Sequence, residues 1–103
     1  MNDHVADVKK YAPKADEAKI AAIVKHLGIA LRNRDSSFVA ASDPKELKTV
    51  HDSWCKKKLG LTDDAAIDAG IKAVAKKMHA DRDKSRVAFY YLLAEHFGKL
   101  GSL

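Results

Sequence analysis

The segment from Lys84 to Leu100, KSRVAFYYLLAEHFGKL, constrains the fold more than any other part of the chain. On a helical wheel its apolar side chains, from Val87 to Leu100, spread over about 260° of arc, and Glu95 and Lys99 occupy the narrow remainder. A helix apolar on most sides is one that other helices surround. Phe89, Tyr90, Tyr91 and Phe97 are also four of the chain's seven aromatic residues, the side chains with the most area to bury. SRVAFYY alone would pass as a strand, but its continuation at helical spacing decides for a helix. The competing expectation is that part of the arc lies open as an interface.

Capping signals divide the rest of the chain. Asp3 is placed to cap a short helix reaching Tyr11, and Pro13 stops it, since proline cannot continue a helix and restricts the residue before it. Asp16 caps a second helix, with Ile20, Ile23, Val24 and Leu27 at i, i+3, i+4 and i+7. Gly28 ends it, with Ile29 set to fold back on Val24 as in a Schellman turn. Over residues 30–43 a short helix capped by Asp35 is the expectation, because Phe38 and Val39 need burial. In SDPKEL, Asp43, Pro44 and Glu46 read as N-cap, N1 and N3 of a capping-box variant. Leu47, Val50 and Trp54 share one face of that helix, and Gly60 stops it.

Thr62 is expected to cap the next helix, with Asp63 and Asp64 in its first turn, where the dipole favours acids. Its stripe is Ile67, Ile71, Val74 and Met78. Gly70 interrupts it at a cost of about 1 kcal/mol relative to alanine, which implies the close approach of another helix. Gly70→Leu is then expected to clash and destabilise. Asp81 or Asp83 caps the last helix. No strand signal survives, and the fold class that follows is all-α. It is a compact bundle of five or six short helices packed around the C-terminal helix, one domain over residues 1–103.

The single cysteine, Cys55, excludes an internal disulfide and suits a reducing compartment. No signal peptide is read in MNDHVADVKKYAPK, and no apolar run approaches a membrane span, so a cytoplasmic protein without membrane contact is expected. The net charge of +5 favours acidic partners only weakly.

Few residues offer chemistry. Most aspartates sit at helix starts, where capping accounts for them. His51 and Cys55, four apart on one helix, have a metal-ligand spacing but no second pair to complete a site, so neither metal nor cofactor is expected. His96 falls inside the apolar arc, as a structural histidine or one near enough to the helix end to reach water; the alternative is a pH-sensitive or ligand-facing group. Polyanion binding, nucleic acid included, would use the basic helix faces carrying Lys45, Lys48, Lys72 and Lys76, together with Arg32 and Arg34 in a connection. A helix-turn-helix is disfavoured, because Asp63 and Asp64 open the helix that would approach the phosphates. Arg32, Arg34, Arg86 and His96 converging on one cavity would point instead to an anionic small molecule. No phosphate loop, dinucleotide fingerprint or nucleophile elbow appears.

The spaced elements DVKKYAP, LGIALRNRDSSFVAASDPKEL, KKLGL and DRDKSRVAFYYLLAEHFGKL together resemble a family of small bacterial proteins of unknown function. The resemblance extends over nearly the whole chain and implies a compact helical domain of bacterial origin. It implies no activity, cofactor or site residue. The expected function is non-enzymatic: a domain acting through contacts with a protein partner or a second copy of itself. Tyr91 and Trp54 are the candidate interface residues if they stay uncovered. Polyanion binding is the alternative.

Overall fold

In the computed structural model, which describes residues 4–28, 38–39, 43–79 and 84–102, the apolar C-terminal helix is the hub. This helix, α5 (Arg86–His96), packs against α1 (His4–Lys9), α2 (Glu17–Leu27), α4 (Asp64–Lys77) and the π-helix Val50–Lys58 that continues α3 (Pro44–Thr49). Every residue from Arg86 to Ala94 is buried. The wide apolar arc is therefore covered by neighbouring helices rather than open to water. A single-turn 3-10 helix, Leu100–Ser102, follows. The architecture is all-α, as expected, with one hydrophobic cluster drawing on every α-helix but α3, which contributes only the half-buried Leu47.

Local signals explain most of the boundaries. Asp16 caps α2, its Oδ1 accepting from the Ala18 N–H, and Asp43 caps α3 by accepting from the Lys45 N–H. The stop at Gly60 is a Schellman turn: the Leu61 N–H donates to the Cys55 carbonyl and the Gly60 N–H to the Lys56 carbonyl, with Gly60 at φ +72°. Ile67, Ile71, Val74 and Met78 all point into the core.

Several expectations change. Phe38–Val39 is a strand, β1, rather than a helical turn, and pairs antiparallel with β2 (Lys84–Ser85), Phe38 opposite Ser85 and Val39 opposite Lys84. That pairing keeps the backbone extended up to Ser85, so Ser85, and not Asp81 or Asp83, caps α5 by accepting from the Ala88 N–H. Asp63 rather than Thr62 caps α4, accepting from the Ala66 N–H; the Schellman turn ties down Leu61 and moves the first free position along. Glu46 does not close a capping box. It turns inward to the Arg86 guanidinium, which also donates to the Tyr90 hydroxyl and, at 3.2 Å, to the Phe38 carbonyl. This network pins α3 and β1 to the start of α5. Asp3, Ile29, Asp35, Asp81 and Asp83 lie outside the described residues.

The π-helix has a sequence rationale. Its hydrogen bonds run from i to i+5, as from the Leu59 N–H to the Trp54 carbonyl at 2.9 Å, so a turn takes roughly four to five residues. Val50, Trp54 and Leu59 follow that spacing and are all buried, while Lys56, Lys57 and Lys58 stay exposed. Ordinary α winding would turn part of the lysine run towards the core before Leu59 arrived there.

Candidate functional site

A groove of about 420 Å³ lies between α3 with its π-helical continuation and α4. Pro44 and the half-buried Leu47 supply most of its apolar surface, with Ile71, a core residue 3% exposed, at its base, and Lys48, His51, Asp52, Asp68 and Lys72 supply its polar rim. His51 sits at the wall nearest α4. Its Nδ1 lies 2.9 Å from Asp52 Oδ1, and its Nε2 lies 3.4 Å from Asp64 Oδ1 and 3.8 Å from Asp68 Oδ1. Lys56 Nζ lies 2.8 Å from the same Asp64 oxygen. That hydrogen bond and its charge hold the Asp64 carboxyl below the usual carboxylate range and raise the Lys56 ammonium above the usual lysine value.

These contacts fix how the two walls run. His51 faces Asp64 and Asp68, and Lys56 faces Asp64, so the walls are antiparallel. Moving back three residues from His51 along the first wall and forward four from Asp68 along the second, about 4.5 and 6 Å, brings Lys48 and Lys72 to the same end. The groove therefore has a dicationic end and a dicarboxylate end, with Ile71 between them on the α4 wall and Leu47 beside Lys48 at the dicationic end. No ion pair among the described residues engages Lys48 or Lys72, and both are exposed.

Of the residues expected to bind polyanions, Lys45, Lys48, Lys72 and Lys76 are exposed, and two of them line this groove. Arg32 and Arg34 lie outside the described residues. The two candidate interface aromatics are not on the surface. Trp54 is 0% exposed, stacks on Tyr90 with ring centroids 4.7 Å apart, and donates its indole N–H to the Tyr90 carbonyl at 3.0 Å. Tyr91 is 2% exposed, and its hydroxyl accepts from the Asp16 N–H at 3.1 Å. Both satisfy their polar atoms inside the fold, which is why neither presents a contact face.

The four-residue anionic cavity does not form from the members that can be placed. Arg86 is 6% exposed and engaged by Glu46, whereas His96 is exposed at the other end of α5, about 15 Å along the helix axis. His96 stacks edge-on against Phe97 and lines a separate shallow depression of about 170 Å³ beside Ala73 and Lys77. Cys55 is fully buried, and its thiol is pushed up to about 12 by loss of water, which leaves it inert as a metal ligand or nucleophile. No group of three or more His, Cys, Asp or Glu side chains among the described residues could hold a metal ion. No helix among them is long and apolar enough to cross a membrane.

The groove itself escaped the sequence. Lys48, Asp52, Asp68 and Lys72 are legible there only as separate i, i+4 pairs on two helices. What joins them is the wall alignment, for which the available signal was the set of histidine and acid partners around His51.

A family model described as a protein of unknown function, DUF2853, matches residues 3–101 of the chain. The chain belongs to this family. Both walls of the groove and the whole of α5 fall within the matched span. No curated protein matches the chain.

Proposed function

We propose that this DUF2853 chain is a non-enzymatic contact module that engages a protein partner through the groove between the α3–π wall and α4. The observation that carries the reading is the groove's make-up: an apolar floor of a few side chains, bordered by charges of both signs at the surface. Sites for partner side chains have this composition, with an apolar centre and a polar rim. Among the described residues, the remaining large apolar side chains are largely committed to the core.

Site-specific photo-crosslinking in cells tests it. A photoreactive residue at position 48 or 72 is expected to trap a protein adduct that the same residue at Lys25, on the exposed side of α2, does not. Equal yields at both places, or none at the groove, would overturn the reading.

Polyanion binding is the second reading, favoured by the meeting of Lys48 and Lys72 at one end of the groove, with Lys45 and Lys76 on the same two helices. Asp52 and Asp68 oppose a continuous phosphate track there. Nuclease-sensitive adducts and an affinity that falls by about one order per order of salt for each phosphate contacted would select it.

A further inference from the structure

We infer that the groove is built for a helical peptide carrying a carboxylate and a cation one turn apart on the face that presents its apolar anchor. This deepens the contact-module reading and rests on it. Two helices lying side by side leave a trough shaped for a third, in which an amphipathic segment lays its apolar face. The charge layout then selects among such segments. Lys48 and Lys72 converge at one end and Asp52 and Asp68 at the other, with one helical turn along each wall between them.

Residues i and i+4 of a bound helix have the same separation and share a face with i+3. A Glu at i reaches the lysine end, a Lys or Arg at i+4 reaches the aspartate end, and an apolar side chain on the same face meets Leu47 and Ile71. A uniformly acidic helix would satisfy the lysines and meet two like charges one turn later. A nucleic-acid backbone would meet the same repulsion. The groove thus fixes the direction in which a helix lies as well as its composition, because reversing the peptide places like against like at both ends.

The test uses the purified full chain. Helical peptides are selected against it from a random display library, and the winners are mapped by amide chemical-shift changes. The expected result is enrichment of peptides with an acid and a base four residues apart, in either order, on the face that carries an apolar residue, with shifts at Leu47, His51 and Ile71. K48E/K72E should weaken such a peptide by about tenfold, the combined effect of two surface ion pairs. Exchanging the peptide's Glu for Lys should restore binding to that variant. Folding of K48E/K72E is checked by its unchanged unfolding transition, as both positions are exposed; if it does not fold, the single variants K48E and K72E, each weakening binding about threefold, replace it.

Groove-bound peptides without the charge pattern, or indifferent to K48E/K72E, would overturn this inference and leave the contact-module reading standing. Peptides that map elsewhere, or no enrichment at all, would overturn both. Tighter binding of single-stranded nucleic acid than of any peptide at the same residues would replace both with the polyanion reading.

Discussion

A Cβ placed on Gly70 would lie 2.3 Å from Phe97 Cζ, 2.9 Å from Phe97 Cε2 and 3.0 Å from His96 Cδ2. Non-bonded carbons rest about 3.5–4.0 Å apart, so Gly70→Ala requires the Phe97 ring to retreat by about 1.2 Å or more. Phe97 is half-buried at the end of α5, so the ring can move, but only by giving up its packing on α4. Overpacking of this kind costs about 1–3 kcal/mol, while alanine in place of a mid-helix glycine contributes about 1 kcal/mol. The expected net loss is about 1 kcal/mol, a fall in Tm of about 5 °C for a domain of this size. A Phe97→Ala background removes the two closest contacts and leaves His96 Cδ2 at 3.0 Å, on an exposed side chain that can yield. The same Gly70→Ala change should then stabilise by about 1 kcal/mol, for a coupling of about 2 kcal/mol between the two sites. Urea unfolding followed by the fluorescence of Trp54, the one tryptophan, measures all four proteins. Equal stabilisation by Gly70→Ala in both backgrounds would refute the close approach of the ring to α4.

Glu46→Ala removes the carboxylate that faces the buried Arg86 guanidinium, and is expected to cost about 2–3 kcal/mol in the same assay; Glu46→Gln, which keeps an acceptor, should cost less. Cys55 should resist thiol reagents in the native protein at pH 8 and react on unfolding. Its folded value of about 12 lies above the ordinary 9.0, so the unfolded chain loses this proton first and stability should decline as pH rises above about 9. His26 lies against the Trp54 ring, and partial burial, then the nearby Lys58 charge, hold its imidazole below the ordinary 6.5. Folding therefore favours its neutral form. Acidification through and below pH 6.5 should destabilise wild type more steeply than His26→Gln, and an NMR titration should place the His26 midpoint below 6.5.

What could be read from the sequence was local. Asp16, Asp43 and Gly60 act on atoms a few residues away, and the apolar arc of α5 is a property of one helix, so their roles follow from spacing alone. The π winding was half legible. Leu47, Val50 and Trp54 fit an ordinary helix, and only Leu59, beyond three lysines, requires the wider turn. Features that depend on distant partners were not legible. Glu46 abandons its capping box for an arginine 40 residues away, and β1 exists only because residues 84 and 85 lie beside it. Ser85 becomes the cap of α5 for the same reason. Trp54 and Tyr91 illustrate the limit from the other side. Each could serve a core or a surface, and hydrogen bonds to the backbones of Tyr90 and Asp16 decide for the core.

The central position of α5 also bears on how the molecule comes into being. The helix on which α1, α2, the π-helix and α4 all lean is translated after every one of them. Until it emerges from the ribosome, the earlier helices have their oily faces turned towards nothing that lasts. Closure then falls in a single late step, and an interruption of synthesis shortly before residue 86 would leave a nascent chain in need of chaperones.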